Sequence, residues 1–214
     1  MSIPKPRTPQ ARRQAGHYFD AAPAAPSRPR TLFLHLPDLT LELAADRGVF
    51  GLRGIDTGTV ALLKEAPAPP AAGDILDIGS GYGPIAITIA KRSPAARLWA
   101  VDINERALEL TRTNAQAAGA QNVTACLPEE VPADVRFAAI YSNPPVRVGK
   151  AALHELLLMW LPRLEKDAGA YLVVQRNLGS DSLAAWLSGQ GFTVERLASK
   201  KGYRILDVRG SGSG

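Results

Sequence analysis

The chain has 214 residues, 46% hydrophobic and 21% charged, which fits a single globular core with appended pieces. One cysteine, Cys126, excludes an intrachain disulfide, and no apolar run approaches the roughly 20 residues of a membrane helix. The net charge of +5 is informative through its placement: Lys5, Arg7, Arg12, Arg13, Arg28 and Arg30 oppose only Asp20 in residues 1–30, and the remainder is balanced.

Residues 1–30 are also rich in proline and alanine, which predicts an extended arm rather than a packed element. The arm lacks an apolar segment, so it is not a secretory signal, and a cytoplasmic bacterial protein is expected. Either it is a solubilising tail, or Arg12, Arg13, Arg28 and Arg30 track a phosphate backbone by releasing counterions. His17-Tyr18-Phe19 within it is an aromatic cluster suited to stacking on bases or to anchoring the arm.

Residues 31–72 read as a hairpin and a lead-in helix. Thr31–Leu36 and Thr40–Leu43 alternate around Pro37-Asp38, and a short helix spans Thr57–Leu63 before a Pro/Ala loop. A core over 73–209 follows as strand, loop and helix in repetition. Strands are expected at Ile75–Asp77, Leu98–Val101, Val123–Ala125, Phe137–Tyr141 and Tyr171–Val174. Helices are expected at Ile85–Lys91, Glu105–Ala118, Ala151–Leu164 and Ser182–Ser188. The order implies an α/β fold with a mostly parallel sheet covered on both faces. Two last strands, Thr193–Leu197 and Tyr203–Val208, form a hairpin, so one of them runs antiparallel. Residues 210–214 are a Gly/Ser run resembling an expression-tag remnant.

Two tracts carry chemistry. In Asp77-Ile78-Gly79-Ser80-Gly81-Tyr82-Gly83 the glycines allow a tight turn and close approach of backbone to a ligand. The spacing is G-x-G-x-G, not the G-x-G-x-x-G of dinucleotide sites, and Asp77 disfavours a pyrophosphate while suiting a cation. Asp102, at the end of the next strand, can accept from both hydroxyls of a ribose. A nucleoside with a cationic 5′ substituent, S-adenosyl-L-methionine, satisfies these features; a purely structural turn and an NAD site are the alternatives. The second tract, Ser142-Asn143-Pro144-Pro145, ends an apolar strand. Two prolines without N–H groups make a rigid turn that offers an amide oxygen and a carbonyl to a ligand's amine. No His/Cys/carboxylate set has metal-ligand spacing, so no metal is expected.

These tracts resemble known ones. Asp77–Gly83 with Asp102-Ile103-Asn104 is similar to motif I and the following acid of class I S-adenosylmethionine-dependent methyltransferases. Residues 142–145 resemble the N/D-P-P motif of the amino-methylating branch. Gly48-Val49-Phe50, Gly54-Ile55-Asp56-x-Gly58-Thr59 and Asn143-Pro144-Pro145-Val146-Arg147-Val148-Gly149-Lys150 resemble single-domain relatives of RsmC, guanine-N2 methyltransferases of small-subunit (16S) ribosomal RNA. That resemblance implies a Rossmann-like class I methyltransferase fold, a seven-stranded sheet ordered 3-2-1-4-5-7-6 with strand 7 antiparallel.

It also implies roles. Asn143, Pro144 and Pro145 would hold the reacting amine. Asp77, Gly79, Ser80, Gly81, Gly83, Asp102, Ile103, Leu127 and Asn143 would bind the cofactor, with Glu129 or Glu130 near the adenine amine and Asp56 and Thr59 closing over the methionine part. Arg147 and Lys150 would join the arm in binding RNA of the small ribosomal subunit. Val146 stands where related motifs carry a stacking aromatic; Tyr82, Tyr18, Phe19 or Arg147 are the candidates to replace it. Methylation of large-subunit RNA or tRNA, or a non-catalytic RNA-binding or assembly role with a retained cofactor pocket, are the competing readings.

Overall fold

A computed structural model describes residues 28–49, 54–145 and 149–210. A hairpin of β1 (Arg30–His35) and β2 (Thr40–Ala45) precedes α1 (Thr57–Glu65). The core continues through β3 (Ala72–Ile78), α2 (Pro84–Arg92), β4 (Ala95–Val101), α3 (Glu105–Ala117), β5 (Val123–Cys126) and β6 (Phe137–Ser142). It closes with α4 (Lys150–Trp160), β7 (Leu164–Gln175), α5 (Ser180–Gly189), β8 (Thr193–Lys200) and β9 (Tyr203–Arg209). The seven strands β3 to β9 pair in the order β5-β4-β3-β6-β7-β9-β8, and β9 runs opposite to the other six. Counted from β3, this is the expected 3-2-1-4-5-7-6.

Alternation along the strands sends side chains into two cores. Ile75, Tyr141, Tyr171, Val173 and Ile205 pack with α1, α2 and the hairpin on one face, where Leu34, Leu43, Leu62 and Ile87 are buried. Leu76, Ile78, Ile140, Leu172 and Val174 meet α4 and α5 on the other, around Leu157, Trp160, Leu183 and Leu187. Near-continuous apolar runs are what a sheet buried on both faces requires. A register irregularity between Phe137 and Ala139 lets Phe137 join the second core and Ala139 the first, although the two are separated by one residue.

The helix expected over 151–164 stops at Trp160. A 3-10 turn, Leu161–Arg163, follows and Leu164 already pairs with Phe137. Pro162 explains the break, since it lacks a backbone donor and disfavours α conformation in the residue before it. The last hairpin is longer than its expected strands: only Lys201 and Gly202 connect β8 and β9, both at positive φ (46° and 84°). A two-residue turn of this hand matches the twist of the flanking strands.

The hairpin β1–β2 docks on the core through polar anchors. Asn114 on α3 accepts from the Ala44 N–H at 2.7 Å and donates to the Ala44 and Tyr82 carbonyls, both at 2.8 Å. Arg92 donates to both oxygens of Asp38 at 2.8 and 2.9 Å and to the Leu63 carbonyl at 2.7 Å. These bonds fix the hairpin against α3 and the C-terminal end of α2.

Candidate active site

The sheet's chain path reverses between β3 and β6, with β4 on one side of β3 and β6 on the other. Crevices outside the carboxyl ends of strands at such a point are where open α/β sheets bind ligands. Asp77 pairs with Tyr141 and Ile78 with Ser142, so both strands end level. Ser142 Oγ also donates to the Ile78 carbonyl at 2.7 Å. The register therefore brings together two tracts that lie about sixty residues apart: a Cβ on Gly79 would sit 3.8 Å from Pro145 Cδ.

Gly79, Gly81 and Gly83 all have positive φ (72°, 58° and 91°). The Gly79 and Ser80 N–H groups donate back to the Val101 carbonyl at 2.8 and 3.0 Å, folding the loop over the end of β4. Gly83 faces inward: a Cβ there would lie 2.9 Å from Ile87 Cδ1 and 3.1 Å from Thr111 Cγ2, so its bareness serves the packing of α2 and α3. Pro84 then starts α2 at a position where no N–H is needed.

Two acids border the loop. Asp77 is 1% exposed; its Oδ2 accepts from the Ala86 N–H at 3.0 Å, but its Oδ1 is buried without a partner, as is Ser80 Oγ. Burial, with a smaller push from the nearby Asp102 charge, raises the Asp77 carboxyl to about 8. Asp102 accepts from the Gly81 N–H and from the Asn104 N–H, each at 2.9 Å. Burial raises its pKa while these backbone donors oppose the shift. The Ile103 N–H is a third backbone donor to this carboxylate, which keeps some acceptor capacity for a ligand's hydroxyl. Ile103 is half-buried beside it. Leu127 packs at the edge of the cluster Ala86, Ala100, Leu108 and Ala125. Its N–H donates to Glu130 Oε2 at 2.7 Å, which engages Glu130 locally and leaves Glu129 exposed.

Asn143 is half-buried at the end of β6. Its Nδ2 donates to Asp56 Oδ1 at 2.8 Å and to Thr59 Oγ1 at 3.1 Å, partners that its place after β6 alone gave no means of finding. Asp56 caps α1 by accepting from the Gly58 and Thr59 N–H groups, and its Oδ2 accepts from the Tyr203 hydroxyl at 3.3 Å. Asp56 and Thr59 thus hold Asn143. The Asn143 Oδ1 makes no hydrogen bond among the described residues. An N-cap acid is readable in Asp56-x-Gly58-Thr59, but its bond across 87 positions has no local signal.

Other candidates lie elsewhere. Tyr82 is 3% exposed and belongs to the first core, its hydroxyl pushed up to about 12 by burial and the Asp56 charge, so it presents no face to a base. Val146, Arg147, Tyr18, Phe19, Arg12 and Arg13 fall outside the described residues. Lys150 is exposed at the start of α4. Arg30 opens β1 and the Arg28 N–H donates to Asp46, so these two basic residues belong to the folded hairpin. His154 stacks on Trp186 at 3.6 Å between ring centroids, packed between α4 and α5. Burial raises the Cys126 thiol to about 11, unlike a reactive thiolate. Among the described residues no helix is long and apolar enough to cross a membrane, and no group of His, Cys, Asp or Glu could hold a metal ion.

The chain is similar to known methyltransferases. The family described as Methyltransferase small domain matches residues 40–207. YbxB of Bacillus subtilis, whose function is uncharacterised, is 31% identical over 90% of this chain and 98% of its own length. "Ribosomal RNA small subunit methyltransferase C" of Stutzerimonas stutzeri is 33% identical over 89% of this chain and 59% of that protein; the Shewanella amazonensis protein of that name is 28% identical over 80% and 50%. This chain therefore spans about half the length of those named relatives. Among solved structures, the T. thermophilus 16S rRNA N2 methyltransferase RsmC, in complex with AdoMet and guanosine, superposes with a TM-score of 0.73. It is 21% identical, covering 88% of this chain and 52% of that one, a likeness of fold.

Proposed function

The chain belongs to the methyltransferase small domain family, and on that premise we propose that it methylates the exocyclic N2 amine of a guanine in 16S ribosomal RNA, with S-adenosyl-L-methionine as donor. The observation that carries the amine is Asn143: its nitrogen is engaged by Asp56 and Thr59, and its oxygen is left for an N–H donor beside the glycine loop. An acceptor there suits an amine and offers nothing to a deprotonated oxygen. The guanine and the ribosomal RNA rest on the named relatives and the structural neighbour.

The residues present fit the donor. The buried, unpartnered Oδ1 of Asp77 suits a cationic ligand, Ser80 Oγ supplies a second unpartnered polar atom, and the bare Gly79 and Gly81 admit a close backbone approach. Asp102 would accept the ribose hydroxyls, with Ile103 and Leu127 flanking the adenine. S-adenosyl-L-methionine supplies an electrophilic methyl on a sulfonium, already a good leaving group. The protein's share is positioning. The guanine amine is a poor nucleophile because its lone pair is delocalised into the ring. Two acceptors, Asn143 Oδ1 and the Pro144 carbonyl, draw its N–H groups out of that plane and stabilise the positive charge that develops on nitrogen. Pro145 keeps the turn rigid, and Arg147 and Lys150 would hold flanking phosphates. The amine proton leaves to solvent once the nitrogen is alkylated.

Incubating the purified protein and labelled donor with 16S RNA and with 30S subunits from a deletion strain tests this reading. Mass-spectrometric mapping is expected to find N2-methylguanosine. Methylation only of 23S RNA or tRNA would redirect the reading, and no transfer to any RNA would end it.

A further inference from the structure

We infer that Asp56 is a specificity-determining positioning residue: its carboxylate dictates which end of the Asn143 amide faces the substrate. This rests on the reading of Asn143 as the amine acceptor. An asparagine amide is nearly symmetric in shape, and its two ends offer opposite chemistry, two donors or one acceptor. Nothing in the Asn-Pro-Pro turn itself chooses between them. With the nitrogen outward the site would repel an amine's N–H; with the oxygen outward it would bind one.

The choice is made from two distant parts of the chain, the start of α1 and β9. An ionised carboxylate only accepts, so the group 2.8 Å from Asp56 Oδ1 must be the Asn143 nitrogen. Thr59 Oγ1, one turn into α1, takes that nitrogen's second proton at 3.1 Å. Asp56 is itself fixed by four donors: the Gly58 and Thr59 N–H groups, the Tyr203 hydroxyl and Asn143. No cation pairs with it among the described residues, so the N-terminal end of α1 and these donors hold its charge. Gly58 makes the arrangement possible, because a Cβ there would come within 2.6 Å of Tyr203 Cε1 and 2.8 Å of Asp56 Oδ1. A simple helix cap needs only the two N–H bonds; the bonds to Tyr203 and Asn143 are additional. They tie the lead-in segment and the last strand, β9, to the turn that would hold the nucleophile.

Asp56→Asn separates cap from orienter. Asparagine caps a helix as well as aspartate does, yet its own NH₂ can turn toward Asn143 and be satisfied only if Asn143 flips. Thr59→Val removes the second acceptor at nearly constant shape. The Asn143 side-chain amide resonances in ¹⁵N-labelled protein, identified by their loss in Asn143→Asp, report the lock without any substrate. In the wild type they are expected far from free-asparagine positions and slow to exchange, and in Asp56→Asn they move toward those positions. On the RNA that the wild type methylates, kcat should fall about 100-fold in Asp56→Asn, as for a misoriented reacting group. The donor's Kd and the RNA KM should stay within about twofold, since Asp56 acts on the orientation of the Asn143 amide. The double variant Asp56→Asn/Asn143→Asp restores an acceptor toward the substrate and a donor–acceptor pair behind it, so it should be more active than either single variant.

Unmoved Asn143 resonances in both Asp56→Asn and Thr59→Val would overturn the inference. So would a double variant no more active than the singles. Should Asp56→Asn not fold, Thr59→Val decides by the same resonances. If the wild type methylates no RNA, the functional reading fails while the resonance test still rules on the lock.

Discussion

Replacing Asp77 by asparagine tests the electrostatics of the glycine loop most directly. The native carboxyl titrates near 8 against its ordinary 3.8, because burial disfavours its charged form. The folded chain thus holds a proton that the unfolded chain has released above pH 4. The stabilisation linked to that proton is complete below the unfolded value and is lost as pH rises through 8. Over that window stability should fall by about 1.4 kcal/mol per pH unit from this group, on the order of 5 kcal/mol in all. Asparagine cannot titrate, so its curve lacks this slope. Against the gain stands about 1–3 kcal/mol for leaving part of a buried amide unpaired. Urea midpoints at pH 5, 6, 7 and 8 would therefore show Asp77→Asn gaining on the wild type with each unit and exceeding it by pH 8. The same variant should bind the cationic donor poorly. In the wild type, donor binding at pH 7 should release close to one proton, measurable by calorimetry in buffers of differing ionisation enthalpy. A stability difference that stays constant with pH would refute the assignment.

Three further outcomes are expected. Gly58→Ala, usually a gain in a helix, should instead destabilise by about 1–3 kcal/mol in chemical denaturation, because the methyl enters the Tyr203 ring; a higher midpoint would contradict that packing. Phe137→Ala should cost about 3–5 kcal/mol, since the ring is fully buried, meets Trp160 edge-on and underlies the Arg163 guanidinium; a loss below 1 kcal/mol would show that this core collapses into the space. Deleting residues 1–27 removes Lys5, Arg7, Arg12 and Arg13 but spares the folded hairpin. RNA affinity should weaken and the slope of log K against log salt should flatten by up to about 3, with donor binding unchanged. Equal slopes for the two forms would rule the arm out of RNA contact.

Much of the fold was legible because its signals are local. Apolar runs between glycine loops and helical periods specify alternating strands and helices, and only Ala198–Gly202 between the last two strands forces an antiparallel end. The order 3-2-1-4-5-7-6 came from family resemblance, and the pairing of β3 with both β4 and β6 bears it out. The sequence pattern carries α4 past its end at Trp160, although Pro162 stands in it: the apolar spacing of Leu161 and Leu164 continues across the break, and Leu164 is apolar because it begins β7. Tyr82 as a stacking ring was equally unreadable, since a glycine loop ordinarily lies open and only docking of the hairpin and α1 covers this side chain.

The sequence by itself determined the two chemical tracts, because a positive-φ turn needs glycine and a donor-free rigid turn needs proline, and both demands are met within a few residues. Only the tertiary structure decided how they work together. The level ends of β3 and β6 set Gly79 against Pro145, burial left an oxygen of Asp77 without a partner, and a helix cap 87 positions away engaged the Asn143 side-chain nitrogen. Pairing, desolvation and orientation are properties of what surrounds a residue in space, and the local pattern of the chain does not record them.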